Sequence, residues 1–339
     1  MAASSAGRDG EPGAVRGTVT AETDASGPYE VVWLDNGTLR LGIVPALGGR
    51  LLSVVHDGEE LLWRNPALLD DRLHPVGGHR PGRTSGPMAN WHNYGGDKTW
   101  PAPQGWSGPE EWAGPPDPVL DSGPYRAEVR SGPGDAAVAL ESEDDPRTGL
   151  RLRREIRLHA GRAGYDLRLS AVNTSSAPVR WAVWNVTQYP GGGTVQVAVE
   201  PDFRAPVELV VGTAAPAWTR PRPDTVEVPA QDVVGKLGFP HAAGRLVYAR
   251  AGHHLTMEFD VHDDAPYPDG GSRAEVWMEP PLDRPLEHLG GLAPPDRIVE
   301  CEALGPWETL APGASTALAV TVTVERTGES ARTGTGGTP

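Results

Sequence analysis

Residues 150–172 read "LRLRREIRLHAGRAGYDLRLSAV". Leu150, Leu152, Ile156 and Leu158 occupy alternate positions in the first half, and Tyr165, Leu167, Leu169 and Ala171 do so in the second. A period of two puts these side chains on one face of an extended chain, the mark of a half-buried strand. The "GRAG" between the halves predicts a hairpin connection. The pattern recurs in "LTMEFDV", with Leu255, Met257, Phe259 and Val261, and in "ALAVTVTV", with Leu318, Val320, Val322 and Val324. Shorter segments such as "GRLLSVVHDG", "VRWAVWNVTQ", "AEVWME" and "RIVECEAL" bring the total to more than a dozen short strands. Turn signals about every ten residues and the absence of a helical period predict an all-β antiparallel fold, a sandwich or a barrel.

Composition agrees. With 43 Gly and 35 Pro in 339 residues, turns are frequent and long helices scarce. A formal charge of -15 excludes a nucleic-acid partner and disfavours an anionic membrane surface. No apolar run is long enough to span a bilayer, and the first residues lack the apolar core of a signal peptide, so the expected location is cytoplasmic. Cys301 is the only cysteine, which excludes a disulfide framework and leaves it a packing role. Residues 1–27 and 327–339 are small, polar and glycine-rich and are expected to be loose tails around one β domain over 28–326. Of the 30 basic residues only Lys98 and Lys236 are lysines, which fits a coding bias towards arginine and makes Lys98 unusual.

The passage from about residue 65 to 119 departs from the strand pattern. Its centre, "NYGGDKTWPAPQGW" at 93–106, has a paired glycine and two prolines and is expected to continue neither a helix nor a central strand. Trp91, Trp100, Trp106 and Trp112 would be costly to leave in water, which points to an ordered loop layer over one side of the sandwich. Eleven Trp against three Phe is more indole than a β core needs. An indole offers a flat face to a sugar ring and an N–H to its edge, although the same residues can simply seal loops onto sheets. Asn93, Asp97 and Lys98 can hydrogen-bond hydroxyls, and Gly95 and Gly96 allow close backbone approach to a ligand. The plainer alternative is a surface ion pair between Asp97 and Lys98.

"NYGGDKTWPAPQ", with "YPDGG" at 267–271 and "VECEALGPWETLAPG" at 299–313, resembles an uncharacterised bacterial family of the galactose mutarotase-like superfamily. The likeness covers about residues 29–325. It implies a large two-sheet β-sandwich related to the aldose 1-epimerases, a carbohydrate or glycosylated small-molecule ligand, and no cofactor. In aldose epimerases a glutamate near the C-terminus takes the anomeric hydroxyl proton; Glu300 or Glu302 occupies that place, both on one face of "RIVECEAL". The family's second catalytic residue, a histidine on the strand after an "N-T-x-x-x-P" turn, has no counterpart. After "NTSSAP" the strand "VRWAVWNVTQY" offers Asn185, Thr187 or Gln188 instead, and the epimerases' "HGG" becomes "YGG" at 94–96.

Neither Asn nor Thr shuttles a proton near neutral pH. Alternative donors are available in Tyr94, Lys98, and the loop histidines His74, His79 and His92, although each histidine alone also fits a hydrogen-bonding loop residue. The candidate catalytic residues are therefore Glu300, Glu302, Lys98 and Tyr94, and the candidate ligand-binding residues are His92, Asn93, Asp97, Trp100, Trp106, Asn185 and Gln188. Proton-transfer isomerisation of a sugar is the leading reading. The alternatives are a sugar-binding module without turnover and a polysaccharide lyase or hydrolase. "HHLTMEFDVHDD" fits no zinc spacing; its alternation assigns Met257 and Phe259 to the core and its charges to solvent, so no metal is expected.

Overall fold

Leu150–His159 (β9) and Gly164–Asn173 (β10) are adjacent antiparallel strands joined at the GRAG turn, with Leu167 opposite Ile156. Their alternating residues lie in a core cluster shared by both sheets of a β-sandwich. The computed structural model describes residues 17–105 and 111–327.

The first sheet has twelve strands. Its main path runs β1 (Thr20–Asp24), β2 (Val31–Asp35), β3 (Leu39–Val44), β4 (Arg50–His56), β6 (Asp97–Ala102), β11 (Val179–Pro190), β20 (Ile298–Leu304), β19 (Ala274–Glu279), β16 (Gly235–Phe239) and β13 (Val207–Val211). β5 (Glu59–Glu60) pairs with β4, and β21 (Glu308–Leu310) with β11. The second sheet has ten strands, in the order β14 (Thr219–Arg222), β15 (Thr225–Val228), β12 (Thr194–Val199), β17 (Ala242–Arg250), β18 (His253–Phe259), β22 (Ser315–Arg326), β10, β9, β8 (Asp135–Glu141) and β7 (Arg126–Ser131). Ladders between strands are antiparallel throughout, and helix is confined to three single 3-10 turns among the described residues. None of these is long and apolar enough to cross a membrane.

Two expectations fail. β1, within the stretch read as a loose tail, pairs with β2 along its full length from Thr20 opposite Asp35 to Asp24 opposite Val31. Of the tail expected after residue 326, only Thr327 is described; it bonds to the Gly252 carbonyl. The second failure is larger: Asp97–Ala102 is not loop but an interior strand of the first sheet. Pro101 is tolerated there for a geometric reason. It lies opposite Val183, whose carbonyl turns the other way to accept from Gly305, so the donorless proline nitrogen faces away from β11. On that flank β4 pairs with β6 only at Asp97.

Gly95 and Gly96, expected to admit a ligand, instead admit backbone from residues 51–52 and 63–64. Both have positive φ (91° and 75°), and a Cβ at either would stand 2.3 Å from the carbonyl oxygen of Trp63 or Leu51. The surrounding passage still forms a layer over the sheet, through residues such as Met88, Trp91, Gln104 and Pro115.

The middle strands β6, β11, β20 and β19 are covered on both faces. One face looks to the second sheet, through Val276, Met278, Val299, Cys301 and Ala303. The other carries Lys98, Trp100, Trp184, Gln188, Glu275, Glu279, Glu300 and Glu302, and a polar face this deeply covered has to be matched donor to acceptor.

Candidate functional site

That second face floors a cavity of about 170 Å³. Trp100 (β6), Trp184 and Gln188 (β11), Glu300 (β20), Glu275, Trp277 and Glu279 (β19) and Lys236 (β16) come from the sheet. Met88, Trp91, Gln104, Pro115, Leu209, Val210, Leu289, Leu292 and Asp269 rise around them. Four tryptophans thus meet a band of carboxylates.

Alternation along β20 turns Glu300 and Glu302 to this side, and central strands on both flanks bury them. Each is held by one of the chain's two lysines. Lys98 Nζ donates to Glu300 Oε1 at 3.2 Å, and Gln188 Nε2 donates to the same oxygen at 2.7 Å. Lys236 Nζ donates to Glu302 Oε2 at 2.8 Å and Glu275 Oε2 at 2.9 Å, while Trp184 Nε1 donates to Glu302 Oε2 at 2.7 Å. Each ammonium also lies over an indole, Lys98 4.6 Å from the Trp100 centroid and Lys236 4.3 Å from that of Trp184.

The two lysines are tuned in opposite directions. Burial lowers the pKa of Lys98, and its single partner Glu300 restores only part of the loss. Burial also opposes charge on Lys236, but Glu275 and Glu302 together outweigh it and raise its pKa. Burial holds Glu302 well above the usual carboxylate range, with Glu275 and Glu300 adding repulsion against the pull of Lys236. Glu275 and Asp269 are raised mainly by burial too, with the Asp269 charge adding to the rise at Glu275 and the Glu302 charge to that at Asp269, against the pull of Lys236. Glu279, diagonal to Glu300 across the β19–β20 ladder, is pushed up to about 8 by burial and then by the Glu300 charge; Trp277 Nε1 donates to its Oε2 at 2.9 Å. At neutral pH the cleft therefore holds a protonated carboxyl beside Glu300.

Comparison with known proteins identifies the family and the fold. A model of the family described as a domain of unknown function, DUF4380, matches residues 30–211, more than half of the chain. The chain belongs to the DUF4380 family. No curated protein matches it. Among solved structures, a galactose mutarotase-like protein from Lactobacillus casei is 14% identical, covering 87% of this chain and 100% of its own, with a TM-score of 0.52. A galactose 1-epimerase from Lactobacillus acidophilus is 15% identical over 92% of this chain and 100% of its own, with a TM-score of 0.53. A TPR-domain containing protein from Parabacteroides distasonis gives a TM-score of 0.58 at 15% identity and 89% coverage, and the DUF4380 chain spans 48% of its length. At these identities the likeness is one of fold, and the fold is galactose mutarotase-like.

Only some of the residues singled out in the sequence meet in the cleft of this DUF4380 chain. Glu300, Gln188 and Trp100 line it, while Lys98 and Glu302 stand behind the wall, bonded to residues that do. Asp97 and Asn185 do not reach it. Strand alternation turns both to the other sheet, where Asp97 accepts from Arg154 of β9, Asn185 Nδ2 at 2.9 Å and Thr187 Oγ1 at 2.6 Å. The same alternation removes the Asp97–Lys98 surface pair. Asn93 lies in a turn, its Oδ1 accepting from Gly95 N at 3.2 Å. Tyr94 is buried in a separate cluster with Val31, Trp33 and Leu52, and its hydroxyl meets His79 Nε2 at 2.9 Å. His92 packs edge-on to His79 at 4.7 Å, away from the cleft. Trp106 lies outside the described residues.

Sequence reasoning missed Lys236, Asp269, Glu275, Trp277 and Glu279. The signal was present in "AEVWME", where Glu275, Trp277 and Glu279 alternate with Ala274, Val276 and Met278 on a strand whose apolar face is the other one. In the cleft, Glu275, Glu300 and Glu302 are engaged by lysine and Glu279 by Trp277. Side chains spaced to hold a metal ion lie elsewhere among the described residues: His56, Asp57 and His253 in one group, Glu200, Asp202 and His241 in another.

Proposed function

We propose that the cleft binds a sugar or a similar polyhydroxylated small molecule and isomerises it by proton transfer, with Glu300 as base and Glu279 as acid. The observation that carries the reading is Glu300, with one oxygen held by Lys98 and Gln188, facing a tryptophan-walled cavity beside a carboxyl that keeps its proton at pH 7. Both donors engage Oε1, so Oε2 is the oxygen free to take a proton from an anomeric hydroxyl. As the O1–H bond breaks and C1=O forms, the bond from C1 to the ring oxygen opens, and Glu279 supplies the proton to that oxygen. Rotation about the C1–C2 bond and reversal of the same steps close the other anomer. Lys98 does not touch the ligand; it is a positioning residue acting through Glu300.

Glu279 in this scheme takes the work of the histidine that the epimerase pattern would place on β11. The indoles of Trp91 and Trp277, each half-buried at the cavity wall, are available to sugar C–H faces.

NMR exchange spectroscopy on the anomers of galactose, glucose and mannose tests the proposal. The parent protein should accelerate exchange, and Glu300→Gln should remove the acceleration while leaving binding within a few-fold. Equal exchange rates for parent and Glu300→Gln reject the assignment. The second reading, a binding module without turnover, is favoured by the composition of β11, which carries Asn185, Thr187 and Gln188 but no histidine. Calorimetric binding with no acceleration by the parent protein would select it.

A further inference from the structure

The motif "HHLTMEFDVHDD" is not absorbed by the cleft, and the structure corrects its reading. His253 does not face solvent; it opens β18 with 2% of its surface exposed and packs edge-on against His56 at the end of β4, with ring centroids 5.4 Å apart. His56 is 7% exposed. The two rings belong to different sheets, so this is a point where the layers of the sandwich meet.

Both histidines keep a buried ring nitrogen with no hydrogen-bond partner, Nδ1 of His56 and Nε2 of His253. A core position would normally match such atoms, because an unpaired buried polar group costs about 1–3 kcal/mol. A carboxylate stands with them. Asp57 follows His56 in the two-residue Asp-Gly turn between β4 and β5, with φ of 51° and 78° at Asp57 and Gly58, and its Oδ2 is 3.9 Å from His56 Nδ1. One donor atom from each of His56, Asp57 and His253 lies within 4.8 Å of the other two.

We propose that His56, Asp57 and His253 bind a divalent transition-metal ion of the zinc type, clamping the β4–β5 hairpin to β18 in the opposite sheet. Two imidazoles and a carboxylate are a borderline N2O donor set that leaves one tetrahedral position for water. The surroundings favour the tautomer needed. Glu59 Oε2 lies 3.4 Å from His253 Nδ1, placed to accept that nitrogen's proton when Nε2 gives its lone pair to the metal. Arg326, half-exposed at the rim, reaches Asp57 Oδ2 at 3.3 Å; a carboxylate has two oxygens and can serve both. The other candidate group is weaker, because its Glu200 is already taken by Arg273 and its three residues are partly or fully exposed.

The full chain, stripped with chelator and titrated calorimetrically with Zn²⁺ alone, tests this. One ion per chain should bind. A hundredfold excess over Kd should raise the unfolding midpoint by about 4 °C. Glu59→Gln should weaken binding about 10- to 100-fold by releasing the His253 ring. His253→Asn should abolish binding, and Asp57→Asn, an exposed change that leaves the core intact, should weaken it at least about tenfold. His241→Ala should leave both stoichiometry and affinity unchanged. No binding by the stripped chain overturns the proposal, and so does unchanged affinity in Asp57→Asn and Glu59→Gln or loss of the ion in His241→Ala.

Discussion

Glu279 is where a single side chain sets the properties of the cleft. An isolated glutamate titrates near 4.5, but burial and then the Glu300 charge hold this one up to about 8. Between those values the folded protein binds a proton that the unfolded chain has released. The stability tied to the neutral carboxyl is therefore complete below about pH 4.5 and is lost progressively as pH rises to about 8. Glu279→Gln keeps the shape and cannot ionise, so relative to the parent it should gain a few kcal/mol above pH 8, a gain that vanishes towards pH 4.5. Urea denaturation of both proteins across that range reads the difference; a constant offset would mean that Glu279 titrates normally. Anomer exchange by the parent should fall above pH 8 as the acid loses its proton, and Glu279→Gln should be slow at every pH.

The strand β6 shows how an element decides which residues can act together. Consecutive residues of a strand face opposite ways, so Asp97 and Lys98 cannot share a pocket: Lys98 goes to the cleft and Asp97 to Arg154 between the sheets. Arg154 is fully buried, and Asp97→Asn would leave its charge uncompensated at a cost of about 3–5 kcal/mol, measurable as a lower denaturation midpoint with an unchanged m-value. The hairpin strands and the common face of Glu300 and Glu302 were legible because alternation is a local property of the chain. β6 was not, because glycines and prolines argue against a strand until the neighbours are known; Pro101 is acceptable only because β4 has left that flank. One legible cue went unread. Arg154 stands on the apolar face of "LRLRREIRLH", between Leu152 and Ile156, and an arginine there requires a buried acid from another element. Which distant strands supply the cleft, and hence Lys236 and Glu275, depends on sheet order, which no local pattern encodes.

Across the whole molecule, the cleft repeats the imbalance of a chain with net charge -15: with Glu279 neutral, Asp269, Glu275, Glu300 and Glu302 still outnumber Lys98 and Lys236 among the described residues. Such a cavity repels phosphate. Neutral hexoses should bind at least about tenfold more tightly than the same hexoses bearing a 6-phosphate, a gap that narrows with added salt. Competition calorimetry at two ionic strengths checks this, and preference for the phosphorylated sugar would show that the carboxyls do not set the local field. The scarcity of lysine has a practical side. Both ε-amino groups of the sequence abut this one cavity, so isotopic enrichment of lysine alone would give a spectrum in which every side-chain resonance reports on its occupancy. Nature has in effect placed two reporters where an experimenter would want them, and nowhere else.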